Sequence, residues 1–186
     1  MPKQKNIALF FGSFNPIHIG HLVIANHIAN NNEIDEVWFV VSPQNPFKEK
    51  KSLLKDYHRL QLVEEAIEGN LKLKASNIEF SLPQPSYTID TLTYIKEKHP
   101  TVSFSIIMGE DNLKSFHKWK NHDIILRDYK LIVYPRINVA QDLKTKSEIL
   151  NHKNVTLLHN IPVMDISASF IRKSIKESKS IRYLVT

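Results

Sequence analysis

Residues 6–11 form a strand-sized apolar run, Asn6-Ile7-Ala8-Leu9-Phe10-Phe11, that stops at Gly12. Shortly beyond it, Leu22, Ile24, Ala25, Ile28 and Ala29 recur at the spacing of one helix face. A buried strand that passes directly into a helix is the beginning of a βα unit, and the chain repeats the pattern. Residues 36–41 read as a second apolar strand ending at Ser42-Pro43, and 56–68 carry Leu60, Val63, Ala66 and Ile67 on one helical face. Residues 71–75 read as a short strand, with Ile78-Glu79-Phe80 as a further candidate. Thr88 is placed to cap a helix over 89–98 that Pro100 stops. Residues 102–108 make a strand that meets Gly109, 130–134 and 155–158 add two more, and Ser167 is placed to cap a last helix containing Phe170, Ile171 and Ile175. Alternation of this kind predicts an α/β fold, a doubly wound, mostly parallel sheet with helices on both faces. Ligands in such a fold bind beyond the carboxyl ends of the strands.

The link between the first strand and helix is Gly12-Ser13-Phe14-Asn15-Pro16-Ile17-His18-Ile19-Gly20-His21. Gly12 frees the backbone to approach a ligand closely. The helix start beyond it offers unpaired N–H groups and a positive dipole end, a ready phosphate site. His18 and His21, one turn apart, face the same anion. A histidine pair at this spacing is also half of a metal site, but the chain has no cysteine and no acidic residue at the metalloprotease spacing. The phosphate reading is therefore preferred, and it suits a nucleoside triphosphate attacked at its α-phosphorus.

Composition narrows the partners. The 186 residues predict one domain over 1–186, and the net charge of +6 favours anionic partners. Basic residues are spread along the chain without an RNA-binding aromatic signature, so nucleotides are preferred over nucleic acid. The longest apolar runs are strand-sized, so no membrane span is expected. The segment 1–6 leads into too short an apolar run for a signal peptide, which makes the cytoplasm the expected compartment. The absence of cysteine excludes disulfides and thiolate catalysis.

His18-Ile19-Gly20-His21 resembles the (H/T)xGH signature of the nucleotidylyltransferase superfamily, which class I aminoacyl-tRNA synthetases share. Four further blocks narrow the resemblance: Ser42-Pro43-Gln44-Asn45-Pro46-Phe47-Lys48; Pro85-Ser86-Tyr87-Thr88-Ile89-Asp90-Thr91-Leu92; Met108-Gly109-Glu110-Asp111-Asn112-Leu113 with Phe116-His117-Lys118-Trp119-Lys120; and Asp165-Ile166-Ser167-Ala168-Ser169-Phe170-Ile171-Arg172. Over residues 6–172 their order and spacing resemble bacterial-type nicotinate mononucleotide adenylyltransferase.

The resemblance implies a Rossmann-like, HUP-like fold and adenylyl transfer from ATP to the 5′-phosphate of nicotinate mononucleotide, giving nicotinate adenine dinucleotide and pyrophosphate. His18 and His21 are the implied catalytic pair. Gly12, Ser13, Phe14, Gly109, Asp111, Ile166, Ser167, Ser169 and Arg172 join them around ATP, with Asp111 accepting from ribose hydroxyls. Ser13, Asn45, Lys48, Tyr87, Thr88, Trp119 and Arg136 are implied around the mononucleotide, with Trp119 stacked on the pyridine ring. Trp38, by contrast, reads as core. The histidines at 27, 58, 99, 117, 122, 152 and 159 read as surface or packing residues. Mg²⁺ is implied with the triphosphate, held by phosphates and water more than by protein.

Three positions depart from the common pattern: Phe11 stands in place of a first glycine, Asn15 of an aspartate and Ala168 of a serine. Nicotinamide mononucleotide and phosphopantetheine remain alternative acceptors, and a non-catalytic nucleotide- or RNA-binding protein is the alternative of a different class. The apolar tail 181–185 packs either on the domain or on a partner, and the sequence leaves oligomeric state open.

Overall fold

The computed structural model describes residues 4–30, 33–44, 53–136, 148–159 and 161–186. Its six strands are β1 (Asn6–Gly12), β2 (Glu36–Val41), β3 (Leu73–Ser76), β4 (Ser103–Gly109), β5 (Lys130–Tyr134) and β6 (Val155–Leu157). They lie in the order β3-β2-β1-β4-β5-β6, and every pairing between neighbours is parallel. Helices α1 (Ile19–Ala29), α2 (Asp56–Ala66), α3 (Thr88–Lys98), α4 (His122–Asp128) and α5 (Ala168–Lys176) connect or flank them.

The two-residue period of β1 divides the core between the faces of the sheet. Ala8 and Phe10 pack with Ala25, Ile28 and Val63 from α1 and α2. Ile7 and Leu9 point the other way, among Leu92, Ile95 and Ile125 from α3 and α4. Burial on both faces explains why these strands read as continuous apolar runs rather than as alternating ones. The chain winds from β1 outward to β3, then crosses back to place β4 on the other side of β1. That reversal opens a crevice between the carboxyl ends of β1 and β4, where Gly12 and Gly109 sit.

Four local expectations are corrected. Leu71 lies outside the third strand and is 92% exposed, because the chain is still turning after Gly69, whose φ of +80° suits glycine. Residues Ile78–Ser81 form a 3₁₀ turn instead of a strand. Tyr87, extended at φ −101° and ψ 133°, is the N-cap of α3. Thr88 is already the first helical residue, and no side chain caps that helix. Trp38 is only half-buried and donates its indole N–H to Glu36 at 2.8 Å, so it lies at the core's margin. The expected cap on α5 is present: the Phe170 N–H donates to Ser167 Oγ at 3.2 Å. The tail docks on this same chain, with the Ile19 N–H at the start of α1 donating to the Leu184 carbonyl at 2.9 Å. Among the described residues no helix is long and apolar enough to cross a membrane.

Candidate active site

A cleft of about 680 Å³ opens over the carboxyl ends of β1, β4 and β5. Gly12, Ser13 and Phe14 enter it from the end of β1, His18 and His21 from α1, and Gly109 and Asp111 from the end of β4. Tyr87 and Thr88 contribute the start of α3, Arg136 follows β5, and Ile166, Ser167, Ser169 and Arg172 surround the start of α5. Trp119 closes one side. The sequence-predicted residues thus converge from segments far apart in the chain. Asn45 and Lys48 lie outside the described residues.

The histidine pair is fixed by the turn it occupies. His18 is the N-cap of α1, with extended backbone, and its N–H donates to His21 Nδ1 at 3.3 Å. That bond uses the His21 Nδ1 lone pair and leaves Nε2 of the neutral ring to carry the proton. The two rings stack with centroids 3.7 Å apart. His18 is only 4% exposed, and its Nδ1 is buried without a hydrogen-bond partner. Burial, and then the charge of Arg136, lower its pKa to about 4, so the ligand-free protein holds this imidazole neutral. Behind the pair, the Phe14 ring lies edge-on to His21 at 5.2 Å and against Phe39 at 5.4 Å. Gly12 permits that packing, since a Cβ there would meet the Phe14 ring at 2.8 Å.

Two arginines join the pair in lining the cleft. Arg172 donates to the Asn15 carbonyl at 2.7 Å and to Ser169 Oγ at 3.0 Å, which joins α5 to the β1–α1 link. Asn15 is itself buried, and its Oδ1 accepts from the Leu54 N–H at 3.3 Å, so the amide standing in place of aspartate is used in the fold. Arg136 donates to the Tyr134 hydroxyl at 3.2 Å and lies 3.5 Å from Asp111 Oδ1. Asp111, expected to accept from ribose, is paired with that arginine in the free protein. Its carboxylate folds back over Gly109 so closely that a Cβ there would collide with it and would press on the Tyr134 ring at 3.2 Å. At the start of α3, Lys120 pairs with Asp90 at 2.9 Å and lies 4.9 Å from the centroid of the Tyr87 ring, while Trp119 leans on Phe116.

Two residues escaped the sequence reading. Arg59 of α2 is 1% exposed and donates to the carbonyls of Leu54 at 3.0 Å, Ser13 at 2.5 Å and Ser42 at 2.9 Å. It therefore ties the loops after β1 and β2 together beneath the cleft, and burial lowers its pKa from the ordinary arginine value. Its position four residues before the core residue Val63 was the available signal. The other is Glu79, 1% exposed at the cleft's edge, whose Oε1 accepts from the Thr91 hydroxyl at 2.8 Å. A glutamate inside an apolar-acid-apolar triplet carries no sequence sign that it points inward.

A parallel sheet whose carboxyl ends open on one cleft, lined by a histidine pair and two arginines, defines a nucleotidyltransferase architecture. The cytidylyltransferase-like family pattern matches residues 9–174. A probable nicotinate-nucleotide adenylyltransferase of Christiangramia forsetii is 55% identical over 181 residues, covering 96% of this chain and 90% of that protein. One from Cytophaga hutchinsonii is 56% identical over 180 residues, covering 97% and 91%. The solved Plasmodium falciparum nicotinic acid mononucleotide adenylyltransferase complexed with NaAD superimposes with a TM-score of 0.79 at 25% identity, covering 95% of this chain and 87% of that one. The chain belongs to the nicotinate-nucleotide adenylyltransferase family and is a nucleotidyltransferase.

Proposed function

We propose that this cleft transfers the adenylyl group of ATP to the 5′-phosphate of nicotinate mononucleotide. A phosphate oxygen of the mononucleotide forms a bond to the α-phosphorus, the bond from that phosphorus to the bridging oxygen breaks, and pyrophosphate leaves. The nucleophile is already ionised at neutral pH, so no general base is required. The work lies in bringing two polyanions into line and neutralising them. The observation that carries this reading is the convergence of His18, His21, Arg136 and Arg172 on the same cleft as Tyr87, Thr88 and Trp119.

Each residue has a physical task in the proposed reaction. His21 presents its Nε2–H as a donor whose direction is held by the His18 N–H bond and by the Phe14 ring. His18, neutral in the free protein, regains affinity for a proton when phosphate oxygens arrive beside it. Arg172 and the N-terminal N–H groups of α5, with Ser167 and Ser169, form the cradle for the leaving pyrophosphate. Trp119 offers a flat face to the pyridine ring, and the start of α3 at Tyr87 and Thr88 presents backbone donors to its carboxylate. Asn45 and Lys48 belong to the mononucleotide side of this proposal by resemblance alone.

Mg²⁺ enters as the companion of ATP. In this reading the phosphates and water supply most of its ligands, with little direct contribution from the protein. The reading places the chain in the cytoplasm as one domain making a dinucleotide for NAD synthesis, without nucleic acid or membrane as partner.

The test is to supply ATP and Mg²⁺ with nicotinate mononucleotide, nicotinamide mononucleotide or phosphopantetheine in separate reactions. Dinucleotide from the nicotinate form, with little product from the others, is the expected result. Equal rates on both pyridine nucleotides would overturn the acid preference, and product from phosphopantetheine alone would overturn the acceptor.

A further inference from the structure

Glu79 occupies an unusual place for an acid. It belongs to the 3₁₀ turn Ile78–Ser81, yet its side chain reaches inward to the edge of the cleft and is 1% exposed. Oε1 accepts from the Thr91 hydroxyl at 2.8 Å, while Oε2 is buried with no hydrogen-bond partner. Among the described residues no lysine or arginine forms an ion pair with it. The hydroxyls of Ser42 and Ser86 face the carboxyl, and the Ser86 Oγ is likewise buried without closing a hydrogen bond.

These contacts bear on the part of the cleft assigned to the pyridine carboxylate. Thr91 lies in the first turn of α3, where its N–H donates to the Tyr87 carbonyl at 3.2 Å. Ser86 immediately precedes the N-cap Tyr87, and its N–H donates to the Gln44 carbonyl at 3.1 Å. Glu79 thus sits beneath the start of α3, in contact with its first turn and facing the segment that leads into it. Two negative carboxylates sharing one poorly hydrated wall repel strongly. An ionised Glu79 would oppose an acidic substrate ring, whereas a neutral carboxylic acid has a donor and an acceptor with which to link the surrounding hydroxyls.

We propose that Glu79 acts as a neutral carboxylic acid that positions the first turn of α3 for the carboxylate of the acceptor ring. This rests on the acceptor being nicotinate mononucleotide. Burial pushes the pKa of the Glu79 carboxyl up, against the opposing pull of the Thr91, Ser42 and Ser86 hydroxyls. Glu79 is a positioning residue, since it acts on substrate through Thr91 and the helix start.

The test compares Glu79→Gln, Glu79→Ala and Thr91→Val with the wild type, measuring KM for nicotinate mononucleotide and for ATP separately. Removal of the buried hydrogen bond in Glu79→Ala or Thr91→Val raises KM for the mononucleotide about three- to tenfold while KM for ATP holds. Glu79→Gln, uncharged and of the same shape, restores the wild-type value. If Glu79→Ala does not fold, Thr91→Val, which leaves the acid in place, carries the comparison. A Gln variant as impaired as the Ala variant, or equal rises in both KM values, would overturn the inference. A wild type that forms no nicotinate dinucleotide defeats the functional reading and this inference with it. A wild type that forms it, with variants that fail to separate the two KM values, defeats this inference alone.

Discussion

At the scale of single residues, the proposed reaction depends on donors whose direction is fixed before substrate arrives. The His18 N–H bond to His21 Nδ1 and the stacked rings leave little freedom for either imidazole. Losing one preorganised donor of this kind raises a barrier by about 2.7–4 kcal/mol. His18→Ala and His21→Ala are each expected to lose roughly a hundredfold or more in kcat, with the unfolding transition still cooperative. Steady-state kinetics beside thermal melts checks this, and near-normal turnover in both variants would contradict it. His18 also makes the free protein sensitive to acid. Its folded pKa of about 4 lies below the unfolded value, so the unfolded chain binds the proton more readily between the two. The stability that this group contributes is complete above about pH 6.5 and is lost as pH falls through about 4. Denaturant unfolding at about pH 7 and about pH 4.5 is expected to differ by about 2–3 kcal/mol more in the wild type than in His18→Gln.

At the scale of elements, the strand ends need cross-ties as well as backbone pairing. Arg59 reaches from α2 to the loops that follow β1 and β2, and four carbonyls, those of Leu54, Ser13, Ser42 and Pro43, depend on it. Arg59→Met retains much of the side-chain volume but leaves those oxygens unpaired. It is expected to lower stability by about 3 kcal/mol or more, read as a shift in the urea midpoint. A shift below about 0.5 kcal/mol would show that water replaces the guanidinium at no cost. Legibility also varied by element. The strands and α1 were readable because burial on both sheet faces produces apolar runs and the helix face repeats at its own period. Helix α4 went unread because it has only seven residues and starts after Asn121, whose φ of +52° is a local turn and not a side-chain cap. The Ile78–Ser81 turn was misread since alternation along so short a segment fits a strand as well as a 3₁₀ turn. The Thr88 cap failed because the helix begins one residue earlier than the cap required.

At the scale of the whole molecule, the order of strands creates the site. β4 returns beside β1 after the chain has travelled outward to β3, so Gly12 and Gly109 meet at one crevice. The motifs around both were legible as blocks, and their meeting followed from the βα alternation. Tertiary roles made from polar side chains were not legible. Arg59, Glu79 and the pairing of Asp111 with Arg136 depend on contacts between distant segments, and periodicity does not encode which polar residue turns inward. In the proposed reaction, one cleft joins the α-phosphorus of ATP to the phosphate of nicotinate mononucleotide. Its most direct measurement follows ATP labelled at the α-phosphorus in the presence of that mononucleotide and Mg²⁺. The label is expected to pass into nicotinate adenine dinucleotide with equimolar unlabelled pyrophosphate, and His21→Ala is expected nearly to abolish the transfer. Label released as AMP without dinucleotide, or transfer undiminished in His21→Ala, would contradict it.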